Sequence, residues 1–135
     1  MKGLIVGAGH FADIQLEAWA SVRDARVAAV LSRTLNKAGQ LADKYDIAAF
    51  DDWEEAIAAL QPDFVDVCTP PDSHYHYVKL AADLGLPVLC QKPLAPTEAE
   101  GEALVSYCRE RDIPLMINEN WRWQGWYREI KRLMD

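Results

Sequence analysis

"GLIVGAGHFA", residues 3–12, carries a short apolar run into a glycine-rich turn and then into a segment of helical character. Gly7, Gly9 and Ala12 fill the three small positions of a dinucleotide fingerprint. In such a turn the first glycine permits the tight bend and the second lets a pyrophosphate approach the backbone. The third small residue lets helix and strand pack closely. The helix start then faces the phosphates with free amides. A glycine turn of this kind also occurs in other α/β proteins, a methyltransferase for example, so its surroundings decide the reading.

Those surroundings alternate. Short apolar runs at residues 4–6, 27–31, 64–68, 88–90 and 115–117, with a weaker one at 48–50, are rich in Val, Leu and Ile. Unbroken runs of this sort suit strands buried on both faces, as in a parallel sheet. Between them, residues 11–20, 35–45, 53–60, 73–84 and 97–111 carry apolar residues at steps of three and four, the spacing of a helix face. Asp52 with Glu55, and Thr97 with Glu100, have capping-box spacing, and Gly85 is placed to stop the fourth helix. The pattern predicts a doubly wound parallel α/β sheet, a Rossmann fold. Asp66 alone interrupts a strand, and the pattern gives no reason for it.

Composition narrows the function. The chain has 135 residues, half of them hydrophobic, and a net charge of −7. That balance speaks for a packed, freely dissolved domain and against an electrostatic grip on nucleic acid or an anionic membrane. The first residues hold too few apolar positions for a signal peptide or a membrane span, so a cytoplasmic location is expected. Cys68, Cys90 and Cys108 lack metal-ligand spacing and read as small buried residues; no metal is expected.

The strand ends supply the candidate site. An acid at the end of the second strand would hold the adenosine ribose of NAD. Here stand Ser32, Arg33 and Thr34, which suit a 2′-phosphate better, so NADP is expected ahead of NAD. "CTPPDSH" ends the strand at 64–68: two prolines force the chain out, Asp72 or Ser73 is placed to cap the next helix, and His74 lies in its first turn. "CQKP" delivers Lys92 to the end of the strand at 88–90, where Pro93 fixes the turn. Ligands of open parallel sheets bind beyond the carboxyl ends of the strands, so Thr69, Pro70, His74, Gln91 and Lys92 should gather near Gly7, Gly9, His10, Phe11 and Ala12. Asn118, Asn120 and Arg122 follow the last strand on the same edge and are candidates for substrate hydroxyls. Plainer alternatives stand beside these readings: a solvated loop arginine, a surface lysine, a helix-start histidine paired with nearby acids.

In this order, "GAGHFA", "SRT", "CTPPDSH", "CQKPLA" and "NENWRW" resemble the glucose–fructose oxidoreductase / inositol dehydrogenase / MocA-like family over the whole chain. The resemblance implies an NAD(P)-dependent oxidoreductase acting on sugars, inositols or related alcohols, commonly as a homo-oligomer. It implies a nucleotide-binding domain over residues 1–120, and residues 121–135 opening the connection to a second, α+β domain absent from this chain. The lysine of the family's Glu-Lys-Pro is implicated in proton transfer or substrate binding, which makes Lys92 the catalytic candidate. Two departures stand out: Gln91 replaces the glutamate, and Gly125 stands where a proline is usual. Two rivals remain, a non-enzymatic NAD(P)-binding module and an α/β methyltransferase. Finally, "WRWQGWY" crowds Trp121, Trp123, Trp126 and Tyr127 just past the last strand, and the helical segment at 126–135 ends without a cap, so an exposed aromatic patch and a longer natural chain are expected.

Overall fold

Six parallel strands form one sheet in the order β3-β2-β1-β4-β5-β6 in the computed structural model, which describes residues 1–134 apart from the Arg122 side chain. The strands are β1 (Lys2–Val6), β2 (Arg26–Leu31), β3 (Ala48–Phe50), β4 (Phe64–Val67), β5 (Val88–Gln91) and β6 (Leu115–Asn118). Between and after them run α1 (His10–Trp19), α2 (Leu35–Tyr45), α3 (Trp53–Leu60), α4 (His74–Asp83), α5 (Glu98–Arg109) and α6 (Gly125–Met134). The strand order reverses direction between β1 and β4, which creates the crevice where such sheets bind ligands.

Alternation along each strand builds two cores. Leu4 and Val6 face one side with Val65, Val67, Val88 and Cys90, covered by Ala56, Val78, Ala81, Leu104 and Cys108 from α3, α4 and α5. Ile5 and Val30 face the other side, under Ala12 and Leu16 of α1 and Ala38 and Ala42 of α2. Ala12 is fully buried, as close helix–strand packing requires. The three cysteines are free and buried, and burial pushes their thiols up, Cys90 to about 12.

Local signals account for most helix ends. Thr97 and Glu100 form the complete reciprocal box, whereas Asp52 accepts from the Glu55 amide without the return bond. Gly85, at φ +76°, closes α4: its amide bonds the Ala82 carbonyl and the Leu86 amide bonds that of Ala81. One expectation is corrected. Neither Asp72 nor Ser73 caps α4 with its side chain. Residues Pro71–Ser73 form a 3₁₀ turn, Ser73 is already near helical backbone angles, and its hydroxyl donates back to the Pro70 carbonyl at 2.9 Å. Among the described residues no helix is long and apolar enough to cross a membrane.

Candidate functional site

The crevice at the carboxyl ends of β1, β2 and β4 encloses about 480 Å³. Its floor is the glycine turn. Gly7 sits at φ +113°, and a Cβ there would lie 2.7 Å from the Cys68 carbonyl oxygen, so both backbone angle and space demand glycine. Gly9 meets nothing within 4 Å; the space above it is open. Gly9 is also the N-cap of α1 and brings no capping side chain. In α1 the Ala12 amide already bonds the Gly9 carbonyl at 3.0 Å, and the first two amides, of His10 and Phe11, remain available to an anion.

Two further walls complete it. On the β2 side stand Ser32, Arg33 and Thr34, with the Ser32 amide held by the Phe50 carbonyl at 3.0 Å. No carboxylate lines this wall, and Lys37, one turn into α2, adds a second cation that sequence reading missed. On the β4 side stand Thr69, Pro70, Asp72 and Ser73, followed by His76 and Tyr77 of α4, the last two also missed. The Thr69 hydroxyl is buried without a hydrogen-bond partner, the only such side-chain atom among the described residues. A buried hydroxyl left unpaired costs free energy unless a ligand completes it. Open space over Gly9, free helix amides and an orphaned hydroxyl together fit a dinucleotide. A hollow of about 500 Å³ at the opposite edge, beside Met1 and Arg26, has none of these features and lies at the amino ends of the strands.

His74 is corrected. It is fully buried behind the crevice, not on its wall. Its Nε2 lies 2.7 Å from the Thr69 carbonyl and its Nδ1 3.1 Å from that of Leu94. It ties the segment after β4 to the segment after β5, and thus holds Thr69 and the Lys-Pro turn in place. The signal that separates it from His76 is periodicity: His74, Val78 and Ala81 share the buried face of α4.

Lys92 follows β5 with an exposed side chain, through a cis Lys92–Pro93 bond. Its Nζ stands 6.0 Å from the centre of the Phe11 ring at the start of α1, so the lysine flanks the glycine turn. Gln91 is buried and accepts the Lys92 amide at 3.3 Å through Oε1. Asn118 pairs with Gln91 across β5 and β6 and turns its Nδ2 toward Asp66, 3.4 Å away. Asn120 is exposed beyond β6, and the Arg122 side chain lies outside the described residues. His10 is exposed at the first position of α1. Gln91, Lys92, Asn118 and Asn120 thus occupy the same sheet edge as the crevice but a neighbouring part of it.

Asp66 also finds its explanation here. It is fully buried and accepts from Trp19 Nε1 at 2.7 Å, from Asn118, and from Cys68 Sγ at 3.6 Å. Burial holds its carboxyl above the usual range, and hydrogen bonding from Trp19, Gln15, Cys68 and Asn118 offsets part of that rise.

Residues 1–119 match the family described as "Oxidoreductase family, NAD-binding Rossmann fold". D-apiose dehydrogenase of Rhizobium rhizogenes is 35% identical over 136 residues, covering 100% of this chain and 39% of that protein. The NADP(+) scyllo-inositol 2-dehydrogenase of Bacillus subtilis is 31% identical over 129 residues, covering 95% of this chain and 39% of that one. Among solved structures, an oxidoreductase of Agrobacterium radiobacter in complex with NAD+, L-tartaric acid and magnesium superposes with a TM-score of 0.92. It is 35% identical, over 99% of this chain and 40% of that one. The chain spans about two fifths of the length of these relatives.

Proposed function

Since the chain belongs to the oxidoreductase family with an NAD-binding Rossmann fold, we propose that it is the cofactor-binding part of an NADP-preferring dehydrogenase acting on a sugar, inositol or related alcohol. A bound nicotinamide cofactor supplies the hydride acceptor or donor. The chain's own residues bind it, orient it and handle the accompanying proton. Gly7, Gly9 and the first amides of α1 receive the pyrophosphate, and the Thr69 hydroxyl completes a polar contact to the ligand. Lys92, at the same edge, takes up the proton when an alcohol is oxidised and returns it when a carbonyl is reduced. Asn118, Asn120 and Arg122 are assigned to substrate hydroxyls. The sugar-like substrate rests on the names of the relatives, the apiose and inositol dehydrogenases.

One observation carries the cofactor preference: the wall after β2 offers Ser32, Arg33 and Lys37 and no carboxylate. A ribose with two free hydroxyls asks for an acid there; a 2′-phosphate asks for cations. The relative bound to NAD+ favours a second reading, in which Arg33 packs on the adenine and NAD is used. Fluorescence titration with NADPH and NADH separates the two. Tighter NADPH binding is expected, and Arg33→Ala should narrow the difference by about tenfold, the worth of a charge-assisted hydrogen bond. Tighter NADH binding in the wild type would rule out the NADP preference.

A further inference from the structure

We propose that Asp66 is a positioning residue, whose buried carboxylate orients the Asn118 amide so that its oxygen is presented to a ligand at the carboxyl edge beside Lys92. The inference rests on the reading that nicotinamide and substrate meet at that edge.

Asp66 stands in the middle of the sheet, in register with Ile5 of β1 and Leu89 of β5. An unpaired carboxylate there would be costly, so its donors matter. One is the Trp19 indole, which bonds Oδ2. Oδ1 takes the Cys68 thiol and the Asn118 amide, the latter brought from the end of β6, two strands away. The Asp66 Oδ1 is the acceptor in both, so Asn118 turns its NH₂ inward. Its Oδ1 then points the other way. Among the described residues that oxygen has no hydrogen bond, and it is not among the buried unpaired atoms, where only the Thr69 hydroxyl appears. The Asn118 oxygen therefore reaches the surface as an acceptor without a partner among the described residues.

Gln91 shows the complementary arrangement. The Lys92 amide only donates, so Gln91 turns Oε1 toward it and leaves Nε2 as a donor. Gln91 and Asn118 are register partners on adjacent strands. Together they offer one acceptor and one donor side by side, the complement of a hydroxyl or a primary carboxamide. A glutamate at residue 91 would supply acceptors only, so the amide found there has a chemical consequence. The ligand group has two available sources, the carboxamide of nicotinamide and a hydroxyl of the substrate.

Side-chain amide NMR of the ¹⁵N-labelled chain tests this, with the Asn118 pair identified by its loss in Asn118→Ser. An Nδ2 proton bonded to a buried carboxylate should exchange about tenfold more slowly than those of the exposed Asn36. Asp66→Asn keeps the volume and an acceptor for Trp19 but no longer dictates the orientation, so the protection should fall. An Asn118 amide that exchanges like Asn36 in the wild type overturns the proposal without any variant. Protection unchanged in a folded Asp66→Asn chain does so too.

Ligands then identify the source. A shift of the Asn118 amide on adding NADPH, but not ADP-ribose, supports the proposal and assigns the contact to the carboxamide. A shift only when a pentose or inositol joins the NADPH complex supports it and assigns a substrate hydroxyl. No shift with either, while NADPH binds, overturns the presentation to a ligand and leaves the cofactor reading intact. A protected Asn118 in a chain that binds no dinucleotide would sink the proposed function instead and leave the orientation standing.

Discussion

The centre of this sheet and its β6 flank are built to different degrees of closure. At β1, Leu4, Ile5 and Val6 are at most 1% exposed, helices cover both faces, and the glycine turn is held by backbone bonds from the neighbouring strands. At β6, Met116 is 53% exposed, and α6 has no buried residue. Trp121, Trp126, Tyr127 and Ile130 are all about half exposed, with the Trp126 ring edge-on to those of Trp121 and Tyr127. The difference teaches where the chain is self-sufficient. Its crevice is finished by its own residues. Its β6 flank presents a half-exposed apolar stripe, the kind of surface that contact with more protein covers. The relatives are more than twice as long, which gives such a surface a place in the proposal.

The sharpest break is at the floor of the crevice. Gly7→Val must leave a left-handed backbone angle and clear the Cys68 carbonyl at the same time. Dinucleotide binding should fall below detection, and the denaturation midpoint should drop by an amount equal to several kcal/mol, the usual cost of strain plus overpacking. A chain that still binds NADPH with ordinary affinity would show that the turn is not the phosphate site. Next in size is Lys92→Ala, which belongs to neither the glycine turn nor the aromatic stripe. In the longer protein it should spare NADPH affinity and lower turnover by about a hundredfold, the lower range of general acid–base catalysis. Unchanged turnover would return Lys92 to the surface.

The aromatic flank should behave in the opposite way. Acrylamide is expected to quench the emission from Trp121, Trp123 and Trp126 while sparing the half-buried Trp19. Ile130→Asp should reduce self-association at high concentration and leave NADPH affinity within about twofold, as for a surface change distant from the site. Coupling of the two readouts would erase the contrast between the centre and the β6 flank.

The smallest effect is expected at Asp66, which lies between the two regions. Burial raises its folded pKa, so protonation favours the folded state. The contribution is present below the unfolded value of about 3.8 and is lost as the pH rises through the folded pKa. Asp66→Asn carries no such loss. Its stability relative to the wild type should grow as the pH rises through that window and level off above it. Asp13 and Asp83, whose carboxyls Lys44 and Tyr107 hold low, are common to both proteins and cancel in the difference. Denaturation curves that stay parallel from pH 3 to 8 would contradict the assignment.

Much of this was legible because period and punctuation agree. Val, Leu and Ile runs set the strands, and the helices at 35–45 and 53–60 end where apolar spacing of three and four places them, with Asp52 marking the start of the second. Gly7 and Arg33 were legible because a turn and a strand end are local. His74 was misplaced because the bonds that bury it run to Thr69 and Leu94, five and twenty residues away. Asp66 was opaque for the same reason: its partners, Trp19 and Asn118, lie 47 and 52 residues distant. Lys37, His76 and Tyr77 entered the crevice through helix phase and strand order, which no single motif encodes.

Central to the account is a dinucleotide site completed by this chain alone, at the centre of the sheet's carboxyl edge. Backbone NMR of the chain titrated with NADPH tests that most directly. Saturable shifts are expected at Gly7, Gly9, Arg33, Lys37 and Thr69, with Trp126, Ile130 and Leu133 unmoved. Shifts confined to α6 and β6, or no saturable shifts with either NADPH or NADH, would contradict it.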